Sequence, residues 1–332
     1  MHIVSTTDLM GPDWGFLRAD SNDPDLTWST HSGVPRAGIE QRIGRPHLGR
    51  YRAGFQATTE AASRKDALLV GHLPLMSAAT NLFRRRRCPD VPMIGFSFNF
   101  TKLPTGVSRK YLIHALRGID EFVVYSRFEQ KNYPAYFDLE PARVRFLPWA
   151  MAPPEPGPVN PTGLTEPYLC AIGGEGRDYA LLANVMRTLP AVKMVVIARS
   201  YSIVGIDFPD NVQVFTNLPL GQTWRVAQDS GGLVIPLISP RTACGHITLV
   251  GAQLLEIPLV ITRSQGVNDY ANDRNARLVH VGDSGDLRAA VTQLADDPEG
   301  AKSRAAAGLA QARVENSPAA WLDYFQTKKQ SL

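Results

Sequence analysis

Two glycine-containing loops in the second half of the chain hold the residue types best suited to bind an anion. The first reads Gly173-Gly174-Glu175-Gly176-Arg177-Asp178-Tyr179. Glycines let backbone amides approach a phosphate closely, and a helix starting near Asp178 adds the positive end of its dipole. A guanidinium at Arg177 can clamp a diphosphate in bidentate fashion. The same residues also suit a tight turn, with Arg177 in solvent and Asp178 as an N-cap. The second loop reads Ile238-Ser239-Pro240-Arg241-Thr242-Ala243-Cys244-Gly245-His246 and runs into Ile247-Thr248-Leu249-Val250-Gly251. A small, polar entrance to an apolar helix is a natural anion cradle, here offered by Gly245, His246, Ile247 and Thr248 with Arg241 nearby. A capped helix with His246 packed near the domain surface fits the same letters.

The first half offers fewer such positions. Leu68-Leu69-Val70-Gly71-His72 is an apolar run ending in a histidine, a residue that either meets a ligand or packs the strand end. Arg84-Arg85-Arg86-Arg87 closes a helix that starts near Pro74, where cations are favourable in any case. Residues 1–150 hold 20 Lys and Arg against 14 Asp and Glu, and residues 151–332 hold 15 against 17. That asymmetry points the first half toward an anionic surface, and four arginines at about 1 kcal/mol each would give weak attachment to an anionic membrane face. No nucleic-acid-binding motif accompanies them, so nucleic acid is set aside.

The elements that must position these residues are legible as an alternation. Strands are expected at His2–Ser5, Ala67–Gly71, Pro92–Phe96, Glu121–Tyr125 and Arg143–Pro148. Helices are expected between them at Arg52–Lys65, Pro74–Arg87, Ser108–Arg117 and Arg127–Phe137. Residues 151–167 contain six prolines, which sustain neither a helix nor an interior strand, and read as an interdomain linker. Beyond them strands are expected at Tyr168–Ile172, Lys193–Ala198, Val212–Phe215, Gly232–Pro236, Pro258–Thr262 and Arg277–Val281. The matching helices are Asp178–Thr188, Gln222–Ser230, Ile247–Glu256, Ser284–Asp297 and Glu299–Val314. Short apolar runs without polar alternation suit strands covered on both faces, as in parallel sheets. The chain therefore reads as two doubly wound α/β domains, 1–150 and 168–332, facing each other across a cleft. The last helix is a candidate to return to the N-terminal domain. The stretch Asp13–Arg50, rich in Gly, Pro and Arg, is left unassigned.

Bulk properties narrow the class further. The chain has 332 residues, 44% hydrophobic and 20% charged, with a formal charge of +4, as expected of a globular protein of two ordinary domains. It has no run of roughly 18 apolar residues and no basic start, apolar stretch and cleavage site of a secretory signal. Three widely spaced cysteines suggest neither a disulfide framework nor a zinc site. A cytoplasmic location is expected, with the inner membrane face as a peripheral contact.

The loops of the second half carry a resemblance. Residues Tyr168 to Asp297 resemble the donor domain of retaining, family-4-type glycosyltransferases of GT-B fold. Tyr168-Leu-Cys-Ala-Ile-Gly-Gly-Glu-Gly-Arg-Asp-Tyr-Ala-Leu-Leu is similar to the family's strand, glycine loop and leucine-bearing helix, with Arg177 at its second basic position. Gly251-Ala-Gln-Leu-Leu-Glu-Ile-Pro-Leu-Val-Ile-Thr262 echoes its Glu-Ala-Met-Ala-x-Gly-x-Pro-Val-Val-x-Thr block. Gln265-Gly-Val-Asn-Asp-Tyr270 matches its glycine turn, and Asn217-Leu-Pro219 the segment facing the donor base. The resemblance implies a nucleotide-sugar donor, UDP-linked, held by Gly173, Gly174, Arg177, Asn217, Arg241 and the 245–248 entrance. It implies a glycan or lipid-linked acceptor, with polysaccharide or glycolipid assembly as the setting. It also implies no metal: the single Asp-x-Asp triplet, Asp23-Pro24-Asp25, lies far from these loops and reads as a turn. The first half resembles the family's acceptor domain, with His72 as the histidine facing the donor sugar and Phe96-Ser-Phe-Asn-Phe-Thr101 as an aromatic lining or a buried strand end. The family's two glutamates, with seven residues between them, are replaced by Ala243 and Gly251, and its earlier basic residue after the glycine is missing. Gln253 is the candidate for a replacement ribose contact. A non-catalytic partner subunit and a nucleotide-sugar epimerase are the rival readings; no convincing acid and base carboxylate pair supports the latter.

Overall fold

The computed structural model describes residues 1–9, 23–36, 38–42, 47–241 and 243–331. Thr242 of the second loop and much of the unassigned 13–50 stretch lie outside these described residues. The chain forms two units: Met1–Pro148 with Pro318–Leu332, and Trp149–Ser317.

The first unit is built on a six-stranded parallel sheet. Its strands are β1 (His2–Thr7), β2 (Thr27–Ser32), β3 (Ala67–His72), β4 (Met93–Phe96), β5 (Glu121–Val124) and β6 (Val144–Phe146), in the order β2-β1-β3-β4-β5-β6. Helices α1 (Leu48–Ala62), α2 (Pro74–Arg87), α3 (Gly106–Leu116) and α4 (Arg127–Phe137) connect the later strands. Five of the strands are the expected apolar runs. β2 is new, and its sequence, Thr-Trp-Ser-Thr-His-Ser, explains why. It is an edge strand paired only with β1, so one side faces polar surroundings and the apolar signal of a covered strand is absent. It is tied down by polar contacts: Ser5 Oγ donates to the Ser29 carbonyl at 3.0 Å, and Glu60 bridges His2 and His31.

A helix at Pro318–Ser331, beyond the expected elements, completes this unit. Its Trp321 lies parallel to Tyr125 with ring centroids 5.8 Å apart, and Phe325 stacks on Phe96 at 5.5 Å. Trp321 Nε1 donates to the Pro148 carbonyl at 2.7 Å, so the indole is both packed and satisfied. Lys328 and Tyr324 both reach Glu121.

The second unit carries another six-stranded parallel sheet. Its strands are β7 (Tyr168–Ile172), β8 (Lys193–Ala198), β9 (Val212–Thr216), β10 (Leu233–Ile235), β11 (Leu259–Thr262) and β12 (Arg277–Val279), ordered β12-β11-β10-β7-β8-β9. Helices α5 (Tyr179–Arg187), α8 (Ser284–Asp296) and α9 (Pro298–Glu315) supply Leu182, Met186, Leu287, Val291 and Ala301 to one core, shared with Leu169 and Ala171. Helices α6 (Leu220–Gln228) and α7 (His246–Leu254) supply Trp224, Val226 and Leu249 to the other, shared with Cys170 and Ile172. The alternation along β7 thus feeds both faces of one sheet.

The proline-rich stretch contains no strand or helix, yet it is packed onto this second unit. Met151 and Leu164, with Trp149 just before the stretch, lie against its core, and Gly157 N–H donates to the Gly221 carbonyl at 2.7 Å. Prolines forbid ladder pairing but not close packing of an extended chain. Among the described residues no helix is long and apolar enough to cross a membrane, and the three cysteines are free and buried.

One buried carboxyl makes the first unit's stability pH-dependent. Ser126 caps α4, accepting from Glu129 N–H at 3.2 Å, while Glu129 Oε2 accepts from Ser126 Oγ at 2.8 Å and Oε1 from Tyr133 at 3.0 Å. Burial pushes the Glu129 carboxyl up to about 7, against the pull of those donors. The folded state therefore keeps this proton longer than the unfolded chain, whose value is near 4.5. Its contribution is full below about pH 4.5 and is lost as pH rises to about 7. Thermal unfolding from pH 4.5 to 7 should show the midpoint falling in the wild type and flattened in Glu129→Gln; parallel curves would remove Glu129 as the source.

Candidate functional site

In an open parallel sheet, ligands bind beyond the carboxyl ends of strands where the strand order reverses. In the second unit that reversal falls between β7 and β10. The two loops that leave there are the two glycine-containing loops of the sequence, and they are joined by backbone bonds. Arg177 and Leu237 form an antiparallel bridge, Ile238 N–H donates to the Gly176 carbonyl at 3.0 Å, and Asp178 N–H to Pro236 at 2.8 Å. Asp178 does cap α5, accepting from Leu181 N–H at 3.0 Å.

Arg177 is not in solvent. It is 8% exposed, and its guanidinium turns beneath both loops. Nε donates to the Ile172 carbonyl at 3.1 Å, Nη1 to Glu175 at 3.0 Å, and Nη2 to Thr248 Oγ1 at 3.3 Å. A Cβ on Gly173 would stand 2.7 Å from Nη2, and one on Gly245 3.3 Å from Nη1. Glycine is required at both, each with positive φ, because the guanidinium fills the space. Its partners are neutral, and among the described residues no carboxylate pairs with it. A buried cation held only by neutral dipoles is costly unless an anion completes it.

The start of α7 faces the same problem with the same sign. Gly245, at φ 98°, precedes the helix, and no side chain caps it. The first helical bond is from Leu249 N–H to the Gly245 carbonyl, so the amides of Ile247 and Thr248 have no acceptor within the helix. Ile247 is 53% exposed, which leaves that amide turn accessible. The His246 imidazole is buried, donates from Nε2 to the Gly266 carbonyl at 2.8 Å, and lies 4.8 Å from the Tyr270 ring. Burial lowers its pKa to about 4, with Arg177 adding to the effect, so the ring stays neutral.

The remaining candidates of this half separate. Gly174 supports the stem of Arg199, a residue at the carboxyl end of β8 that the glycine pattern does not flag. Asn217, at φ 56° beyond β9, accepts from Arg199 and bonds Ser200. Arg241 is exposed. Gln253 is turned away from the α7 start: it is buried, donates to the Tyr270 carbonyl at 3.0 Å, and packs on Gly308 of α9. It is therefore not placed as a replacement ligand at the helix entrance.

The two missing glutamates have different structural outcomes. Ala243 is buried. At Gly251 the space itself is taken, because an added Cβ would lie 2.3 Å from Trp224 Cη2 and 3.1 Å from Pro154 Cγ. No side chain fits there while the indole stands.

The first unit has its own reversal of strand order, between β1 and β3. His72 ends β3 there, buried, with Nδ1 3.0 Å from Thr7 Oγ1. Burial lowers its pKa to about 4, against the nearby Asp8. The next residue, Leu73, adopts φ 76°, a conformation costing a leucine about 1–3 kcal/mol, which marks this strand end as held by its surroundings. The aromatic run does not line an opening: Phe96 and Phe98 are fully buried, against Trp321 and Phe325 and against Phe122 and Phe137 respectively. The arginine run also divides. Arg84 is buried, pairs with Asp120 and donates to the Val91 and Gly118 carbonyls, so it closes the core. Arg86 and Arg87 are exposed, Arg85 half-buried.

No family model and no curated protein matches the chain. Its fold is nonetheless shared with solved structures. Anabaena Alr3699/HepE in complex with UDP-glucose superposes with a TM-score of 0.76 over 100% of both chains, at 12% identity. A glycosyltransferase from Rickettsia africae gives 0.71 over 99% of this chain and 98% of the other, at 10% identity. Sucrose-phosphate synthase from Thermosynechococcus elongatus gives 0.69, covering 94% and 86%, at 16% identity. The chain has the GT-B fold.

The contact at Gly251 yields a stability test. Overpacking costs about 1–3 kcal/mol in ordinary cores, so Gly251→Ala should lower the urea midpoint clearly. In a Trp224→Ala background, itself about 3–5 kcal/mol less stable, the same change should cost much less. Equal costs in both backgrounds would show that the indole does not exclude the side chain.

Proposed function

We propose that the chain is a glycosyltransferase that moves a sugar from a nucleoside-diphosphate sugar to a glycan or lipid-linked acceptor. The observation that carries this reading is the buried Arg177 guanidinium, held by neutral groups beneath two glycines and beside the open amides of α7. Two sources of positive potential converge at the strand reversal, where a diphosphate would complete both. The GT-B fold and the UDP-glucose bound to Alr3699/HepE support a nucleotide-sugar donor, UDP-linked.

In the proposed reaction the bond between the sugar's anomeric carbon and the diphosphate breaks, and the acceptor oxygen bonds to that carbon. Arg177 and the α7 amides stabilise the charge gathering on the departing diphosphate. The acceptor's proton passes to that diphosphate, so no carboxylate base is required. The configuration is retained and no metal takes part. His72, neutral through its burial, orients the donor sugar by hydrogen bonding. Gly173, Gly174, Asn217, Arg241 and residues 245–248 surround the donor. Arg177→Ala should lower the transfer rate by about 100-fold or more while the protein stays folded. Arg177→Lys should recover little, because a point charge does not reproduce the fork. Unchanged rates would remove Arg177 from the site. Product NMR and assay in EDTA test retention and metal independence.

Trp224 in the place of a family carboxylate favours a second reading, a subunit that binds the nucleotide without turnover. Calorimetry followed by a donor hydrolysis assay separates the two: binding with slow hydrolysis supports the transferase, and binding with none supports the subunit.

We also propose that the first unit contacts an anionic membrane face, in keeping with a lipid-linked acceptor and a location at the inner face of the cytoplasmic membrane. Arg85, Arg86 and Arg87 remain for this once Arg84 is placed in the core, and Arg85 reaches the His114 carbonyl of α3. Arg87 lies over the half-exposed Phe55 ring at 4.3 Å, adding an apolar surface beside the charge. Vesicles containing phosphatidylserine should sediment with the wild type in low salt. The triple alanine variant at 85, 86 and 87 should lose about 3 kcal/mol of that binding. Equal sedimentation of both would end the membrane proposal.

A further inference from the structure

A single buried arginine is a small charge for a diphosphate, and Arg177 already donates to four protein acceptors, two carbonyls, the Cys244 sulfur and the Thr248 hydroxyl. A second cation at the same strand ends would answer this. β8 pairs with β7, so the loop beyond it borders the glycine loop. Its first residue is Arg199. An ideal Cβ on Gly174 would lie 2.5 Å from Arg199 Cγ and 3.0 Å from its Cβ, so the arginine stem rests directly on the glycine. The side chain is exposed, and among the described residues no carboxylate bonds its guanidinium. The nearby acid, Glu175, is taken by the Tyr201 hydroxyl. Asn217 accepts from Arg199 Nη1 at 3.4 Å, and its left-handed backbone is fixed by its N–H bond to the Ala198 carbonyl.

We infer that Arg199 is a second diphosphate-binding residue of the donor site, resting on Gly174 and oriented by Asn217. The inference rests on the donor-site reading given above. It assigns Gly174 a reason of its own: a side chain there would displace the arginine. It also makes Asn217 a positioning residue that acts through Arg199.

Calorimetry with UDP, ADP and GDP identifies the diphosphate the wild type binds, and its monophosphate and nucleoside are then compared. Arg199→Ala should weaken the diphosphate by about 10-fold or more, the monophosphate less, and the nucleoside not at all. Arg199→Lys should recover part of the loss, with steeper salt dependence than the wild type. Asn217→Ala should show a smaller loss with the same order across the three ligands. Unchanged diphosphate affinity in Arg199→Ala, or an equal loss for nucleoside and diphosphate, overturns the assignment while leaving the donor site in place. A wild type that binds none of the three diphosphates overturns both readings together.

Discussion

The second unit is organised around a positive charge kept out of water. Arg177 is not paired with the acids of its own loop, Glu175 and Asp178; the chain surrounds it instead with carbonyls, a thiol and a threonine hydroxyl. Burying a lone ion costs several kcal/mol, and neutral dipoles return only part of that. The rest of the local structure follows from the constraint. Two glycines make room for the guanidinium, a backbone bridge closes the loops over it, and α7 starts without a cap. The potential left over is directed toward the open end of the sheet.

The first unit meets the same topological position by different means. At its reversal, the polar groups Thr7, Asp8 and His72 gather at the ends of β1 and β3, and Asp8 pairs with Arg50. Here the charges are matched and the histidine is neutral. Backbone strain marks both units, at Leu73 and Ser97 in the first and at Asn217 in the second, whereas, among the described residues, the buried unpaired charge at the strand reversal belongs to the second.

Much of the fold was legible in the sequence because parallel strands covered on both faces are short, uninterrupted apolar runs. Eleven of the twelve described strands follow from that signal, and β2 escapes it by being polar and at an edge. The positions of the glycine loops, between a strand end and a helix start, were legible too, although the letters suit a tight turn as well as an anion cradle. What the letters concealed were contacts between segments distant along the chain. Arg199 looks like any charged residue after a strand until Gly174 is seen beneath it. Gly251 reads as a lost acid, whereas the structure shows Trp224 occupying the volume. Arg84 differs from its three neighbours only through helical phase, which turns it inward toward Asp120. The phenylalanines at 96 and 98 were ambiguous for the same reason: a ring beside a strand end serves a surface or a core depending on what covers it.

The cover, in this case, arrives from the far end of the chain. Trp321, Tyr324 and Phe325 belong to the unit that begins at Met1, yet they are translated only after the whole of Trp149–Ser317. A ribosome adding about 5–20 residues per second releases the second unit's sheet before the first unit has its last aromatic layer. The unit begun first is therefore completed only after the second has been made. Until then Phe96 and Tyr125 stand without the rings that cover them, and such transiently exposed apolar surface is prone to association between chains.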